Sequence, residues 1–176
     1  MRTVTKVLTA PPKSKAMPDT QRIDDRLDAR VVASRQALMR VCAEATEAEM
    51  RAAMQHLEPH PEAVDVRPTE TGLVMLRGRI GGSGAPFNIG EATVTRAAVR
   101  LLTGETGFSY LLGRSKSRAR LAAILDAAGR NPTYRPALER HLIGPVTYRI
   151  ERERRIAREE TAATRVEFFT LVRGED

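Results

Sequence analysis

From Ser34 onward the apolar positions Ala37, Leu38, Val41, Cys42 and Ala45 recur every three or four residues, the period of one helical face. Thr46 followed by Glu47 and Glu49 has the form of a capped helix start, and Met50, Ala53, Met54 and Leu57 supply that second helix with an apolar face. Pro59 and Pro61 end the helical hairpin. The period then shortens to two. Ala63 to Arg67 and Gly72 to Ile80 read as two strands joined at the turn-forming cluster Pro68-Thr69-Glu70-Thr71. In the second strand Leu73, Met75, Arg77 and Arg79 lie on one face, and Val74, Leu76 and Ile80 mainly on the other. Phe87 to Ile89 and Ala92 to Leu102 continue the sheet pattern, although the spacing of the latter also suits a helix and leaves that choice open. Gly104 to Gly107 makes a tight connection into Phe108 to Leu112, and connections this short imply antiparallel pairing.

At Ser115 the period returns to helical. Ala119, Ala122, Ala123, Leu125 and Ala127 form a small-residue face that runs to a stop at Gly129. After an irregular stretch bearing Pro132 and Pro136, Pro145 opens a helix dense in Arg and Glu through about Ala163, with Glu151 and Arg155 spaced to pair. Val166 to Val172, rich in β-branched and aromatic residues, reads as a closing strand. The expected fold is α+β: an N-terminal helical hairpin, an antiparallel sheet, additional C-terminal helices and a terminal strand. Ahead of it, residues 1–30 mix Pro11, Pro12 and Pro18 with Lys, Arg and Asp and no sustained period, as a flexible basic leader would. Residues 31–176 are left as a single domain, with no internal repeat.

Composition narrows the function. A chain of 176 residues suits one compact domain, and with no Trp and 4% aromatic residues its core is aliphatic, so stacking on nucleobases is not the obvious mode of action. The net charge of +7 is uneven: residues 1–40 hold nine Lys and Arg against four Asp, a balance of +5 that leaves +2 for everything after. Direct nucleic-acid binding is therefore disfavoured. Cys42 is the only cysteine, which rules out an intrachain disulfide and a cysteine-based zinc site. No apolar run approaches the roughly 20 residues of a membrane span, and no secretory signal follows the basic start. The expected location is the cytoplasm, away from the membrane.

Candidate chemistry centres on residues 77–100. Gly81, Gly82, Gly84 and Gly90 make a glycine-rich loop whose backbone N–H groups could cradle a phosphate. Gly90 is followed by Glu91, however, so the Gly-Lys-Ser/Thr ending of a P-loop is missing, and the spacing is not a dinucleotide fingerprint. A hairpin loop, a bulge or a subunit-contact surface is the favoured reading. Arg77, Arg79, Arg96 and Arg100 are candidates to converge on a phosphate or phosphonate, since a guanidinium binds such groups through paired hydrogen bonds. The plainer reading makes them solvated sheet residues or partners in inter-subunit ion pairs. His56 and His60 are interrupted by Pro59 and make a poor metal pair, His141 has no evident partner, and Ser109 lacks a nucleophile elbow. No residue takes a catalytic role from spacing alone.

Three blocks carry a resemblance. E-T-G-L-V at Glu70 to Val74, G-G-S-G at Gly81 to Gly84 and G-E-A-T-V-T-R-A-A-V-R-L at Gly90 to Leu101 are followed by G-F-S-Y at Gly107 to Tyr110, G-R at Gly113 and Arg114, and R-V-E-F-F-T-L-V-R-G at Arg165 to Gly174. In this order they resemble the G subunit of the bacterial carbon-phosphorus lyase core complex, and weaker similarity reaches back to about Arg35. The resemblance implies a part in phosphonate use. In that family the G, H and I subunits, with the ATPase-like L protein, replace the adenine of MgATP by an alkylphosphonate to give α-D-ribose 1-alkylphosphonate 5-triphosphate. Nucleosidase-type chemistry there is associated with the I subunit, and carbon-phosphorus cleavage with the J subunit, to which the iron-sulfur cluster and S-adenosylmethionine belong. The resemblance thus implies an obligate hetero-oligomer with a second copy of itself, with H, I and J, and with the K and L proteins. MgATP is a substrate of the assembly, and no cofactor is expected on this chain. Two roles stay open: a structural subunit that supports the I-subunit site, or a direct binder of triphosphate or phosphonate through the glycine loop and the arginines.

Overall fold

The structure, a computed structural model, describes residues 19–80 and 84–164, with side chains from Ala29 onward. The chain divides into two compact units, residues 1–34 and 35–176. In the first, the described residues form the opening turns of helix α1 (Asp19–Glu44), where the Ser34 hydroxyl donates to the Val31 carbonyl at 2.9 Å. The helix expected from Ser34 therefore starts at Asp19, inside the stretch read as leader. The remaining elements lie in the second unit: helix α2 (Glu47–Met54), strands β1 (Ala63–Arg79), β2 (Pro86–Leu101) and β3 (Thr106–Leu112), helix α3 (Lys116–Ala128), the single turn α4 (Arg135–Leu138), a π-helical turn (Glu139–Ile143) and helix α5 (Gly144–Ala163). This arrangement is α+β. The terminal strand expected over Val166 to Val172 lies outside the described residues.

Local chemistry sets the helix starts. At α2, Thr46 Oγ1 accepts the Glu49 N–H at 3.2 Å while Glu49 Oε2 accepts the Thr46 N–H at 2.7 Å, a reciprocal capping box. Ser115 caps α3 by accepting the Arg118 N–H at 3.2 Å. The stretch around Pro136, expected to be irregular, is helical: Pro136 sits in the first turn of α4, where its missing N–H costs nothing. Along α5 the ion pairs are Arg149–Glu153 and Arg155–Glu159, not the anticipated Glu151–Arg155.

The sheet has the order β1-β2-β3, antiparallel throughout. Two strands were expected where β1 runs unbroken from Ala63 to Arg79. Pro68 and its neighbours make no turn; register shifts between Asp65 and Arg67 and between Arg67 and Glu70 absorb the proline on an edge strand, where a missing donor is tolerated. Ala92 to Leu102, left open between strand and helix, falls almost wholly within β2. The connection to β3 is tight, with Gly104 at φ 105° and the Leu101 N–H donating to the Glu105 carbonyl at 2.9 Å.

Among the described residues, helices cover one face of this sheet only. Thr95, Ala97, Val99 and Leu101 of β2 alternate inward, with Leu111 of β3, and meet the small-residue face of α3. Ala119, Ala122, Ala123 and Ala127 let that helix approach so closely that a Cβ on Gly107 would stand 2.0 Å from the Ala123 carbonyl oxygen. Met50, Leu57, Leu125, Leu138, Leu142 and Val146 close the aliphatic core behind it. Helix α3 and the turn that follows it also blunt both sheet edges. Arg120 donates to the Ala63 carbonyl on β1 at 3.1 Å, Arg130 to the Thr106 carbonyl on β3 at 3.0 Å, and Asp126 accepts the Phe108 N–H at 2.9 Å.

Candidate functional site

β3 pairs with β2 from Val94 to Arg100, so among the described residues β1 and β2 continue beyond that point as a two-stranded arm out to the Arg79–Pro86 pair. The glycine-rich loop is the tip of this arm. The Gly84 N–H donates to the Ile80 carbonyl at 3.1 Å, and a Cβ at Gly84 would fall 2.6 Å from that same oxygen, so the approach needs glycine. Gly81 and Gly82 lie outside the described residues. Gly90 faces open space, opposite Leu76.

The register separates the four candidate arginines. Arg77 and Arg79 sit at the arm tip, opposite Asn88 and Pro86, on the face of the ribbon that continues toward the helices. Arg96 and Arg100 sit over the body of the sheet on the opposite, open face. At about 3.3 Å per strand residue, the ten residues from Pro86 to Arg96 put the two pairs about 30 Å apart. They do not converge on one ligand within this chain.

Each pair has its own environment. Arg96 donates from Nε and Nη2 to Glu70 Oε2 at 3.1 and 2.7 Å, directly across the β1–β2 pairing. The guanidinium holds the Glu70 carboxyl below its ordinary range, and the carboxylate in turn raises Arg96. A pocket of about 140 Å³ beside them is lined by Glu70, Gly72, Val94, Arg96 and Tyr110, but its cation is already matched. Arg100 makes a long contact of 3.4 Å to the Thr106 hydroxyl. At the tip, Arg79 reaches the Gly84 carbonyl at 3.3 Å, and among the described residues neither Arg77 nor Arg79 meets a carboxylate. Around Arg77, Gly78, Arg79 and Pro86 there is an open recess of about 480 Å³.

Elsewhere the polar groups are engaged structurally. The Ser109 hydroxyl donates to the Ala119 carbonyl at 2.6 Å, which ties β3 to α3. Cys42 is fully buried, and burial pushes its thiol up to about 12, with the Asp126 charge adding to the effect; it stays protonated and inert at neutral pH. A cleft of about 550 Å³ holds Arg51, His60 and Arg120, but Arg51 pairs with Glu47 and Arg120 with Asp65. His56 does not meet His60 at a metal centre, and no cluster of three or more metal-ligating side chains occurs among the described residues. It stacks instead on His141, with ring centroids 3.9 Å apart. Partial burial, then the neighbouring His56 and Arg140 charges, lower the His141 pKa. Nothing in the spacing announced that pairing, because the two rings lie 85 positions apart in the chain.

Sequence reasoning also passed over the open face of the sheet. Phe108, Tyr110 and Leu112 alternate along β3 on the side away from the helices, and all three are exposed. Val74, Leu76, Ile80, Phe87 and Ile89 extend this apolar face along the arm. The signal was present: both faces of the arm carry large apolar residues, which a strand with one face in water has no reason to do.

Comparison with known proteins places these features. The profile of the family described as phosphonate metabolism protein PhnG matches residues 33–174. A protein of Rhizobium meliloti (strain 1021), named alpha-D-ribose 1-methylphosphonate 5-triphosphate synthase subunit PhnG, is 54% identical over 145 residues, which cover 82% of this chain and 92% of that protein. The similarity includes the arm, the sheet and α3.

Proposed function

This chain belongs to the PhnG family of phosphonate-metabolism proteins, and on that premise we propose that it is a subunit of the synthase that displaces adenine from MgATP with an alkylphosphonate. In that reaction a phosphonate oxygen bonds to C1′ of the ribose as the bond from C1′ to adenine N9 breaks, and adenine leaves with a proton. The relative's name as a synthase subunit, joined to 54% identity over most of both chains, is the observation that carries the reading.

Within the synthase its part is structural. It supports the site of the I subunit and assembles with H, I and J and with the K and L proteins, in the cytoplasm. No helix among the described residues is long and apolar enough to cross a membrane, which is consistent with that location. Two features favour the structural role over direct chemistry: the candidate arginines are split between opposite faces of the sheet, and Arg96 is matched by Glu70. The iron-sulfur cluster and S-adenosylmethionine stay with the J subunit, and MgATP is a substrate of the whole assembly.

Adenine release from MgATP and methylphosphonate by the cognate G, H, I and L proteins tests this directly. Release that depends on phosphonate and stops when this chain is omitted is the expected result; equal release without it overturns the reading. A second reading keeps Arg77 and Arg79 as a triphosphate or phosphonate contact, favoured by their lack of a carboxylate partner among the described residues. It requires Arg77→Ala and Arg79→Ala to slow turnover in a complex that still assembles.

A further inference from the structure

Arg135 to Ala163 form one unbroken helical run, in which α4 passes through the π-helical turn into α5. In that turn the Gly144 N–H donates to the Glu139 carbonyl five residues back, and a Cβ on Gly144 would stand 3.2 Å from that oxygen. The turn thus holds one residue more than an α-helical turn does, a local widening that is rare in regular helices. His141 sits in the middle of it. His56 lies two residues past the end of α2. The next residue after each, Leu142 and Leu57, is buried in the core. The two imidazoles therefore close the rim of the core where the π-helical turn meets α2.

Their rings lie 3.9 Å apart and 14° from parallel. The carboxylates of α2 are committed elsewhere: Glu47 is matched by Arg51, and Glu49 by Arg149 of α5. Other charges on the packed elements are Glu58 beyond His56, Arg135 of α4, and Glu139 and Arg140 of the turn itself. Loss of water first, then His56 and Arg140, hold the His141 pKa below its ordinary value, with no carboxylate among the described residues offsetting them. A histidine depressed in the folded state contributes stability that is complete above its unfolded pKa of about 6.5 and is lost as pH falls below it. The contact is therefore sensitive to acid in a range well above that of the carboxylates.

We propose that the His56–His141 stack is a proton-operated latch that holds the π-helical turn against the end of α2. With one ring or neither charged, the stack holds. When acid charges both, like charges face each other across 3.9 Å and the turn is released. The release stays local, because Arg149, two helical turns further on, still binds Glu49 and Glu153 and fastens α5. The chain has three histidines, which leaves His60 as an internal control.

Native-state amide hydrogen exchange of the full chain, read by mass spectrometry at pH 7.5 and 5.0 and normalised to the intrinsic rate at each pH, tests the latch. In wild type, protection of peptides within 135–146 is expected to fall about fivefold on acidification, the scale of repulsion between two unit charges about 4 Å apart in water. Peptides of α3 should keep theirs. His141→Phe retains a flat ring that takes no proton, so its turn should stay protected at both pH values. His56→Phe makes the same change from the exposed side of the stack and carries the test if the first variant misfolds. His60→Gln should behave as wild type. Equal wild-type protection at the two pH values overturns the proposal, as does a loss that persists in the folded Phe variants or disappears in His60→Gln. A loss shared equally by α3 also overturns it, because the whole unit would then be loosening rather than the turn.

Discussion

Asp126 is fully buried and takes a two-pronged contact from Arg35, Nε to Oδ1 at 2.8 Å and Nη2 to Oδ2 at 2.7 Å, while Oδ2 also accepts the Phe108 N–H. One side chain thus joins the second-unit part of α1, α3 and the edge of β3. Asp126→Asn keeps the size but removes the charge and one acceptor, and leaves either the guanidinium or the Phe108 N–H without a full partner. A loss of about 2–3 kcal/mol is expected, the range for a hydrogen bond to a charged group, because Arg35 retains some access to water. The midpoint of urea unfolding measures it; an unchanged midpoint would mean the contact is idle. Residues matched in this way do not read from sequence, since Arg35 and Asp126 lie 91 positions apart.

At the scale of elements, the close approach of β3 to α3 depends on a single missing side chain. Gly107 has an ordinary backbone conformation, so its role is space: a Cβ there would meet the Ala123 oxygen at 2.0 Å and the Ala127 nitrogen at 2.5 Å, both backbone atoms that cannot swing aside. Gly107→Ala is therefore expected to cost about 3 kcal/mol or more, the upper range for overpacking, with a melting temperature lowered by several degrees. A variant as stable as wild type would show that α3 can shift outward freely. The periods of α2 and α3, the Thr46 cap and the Gly129 stop were legible because each depends on neighbours within four residues, whereas the Ser115 cap emerged from the structure. The unbroken β1 was not: Pro68-Thr69-Glu70-Thr71 has turn chemistry, and only continued pairing with β2 overrides it.

Across the whole second unit, Arg149 gathers the helical layer. It donates to Glu49 Oε1 at 2.7 Å, to the Glu44 carbonyl at 3.0 Å and to Glu153 at 3.0 Å, which fastens α5 to the turn between α1 and α2. Burial opposes ionisation of Glu49, but hydrogen bonds from Arg149 and from Thr46 outweigh it and leave its pKa below the ordinary value. A carboxyl depressed in the folded state contributes stability that is present above its unfolded pKa of about 4.3 and is lost as pH falls through the lower folded value. Melting temperature should hence decline on acidification below about pH 4, and Glu49→Gln should flatten that limb while lowering stability at neutral pH. Parallel curves for the two proteins would remove Glu49 from the account.

Sequence alone determined what short-range physics determines. The capped start of α2, the small face of α3, the alternation that sets Arg77 and Arg79 against Leu76 and Ile80, and the ordered motifs that mark the family all depend on residues close together in the chain. Tertiary structure decided which long-range partners meet. It matched Arg96 to Glu70, stacked His56 on His141, carried β1 through a proline, and parted the arginines that a linear reading groups together. It also decided that, among the described residues, helices cover just one face of the sheet. That uncovered face is invisible to periodicity, because a strand's alternation says which residues share a side and never says what, if anything, lies against it.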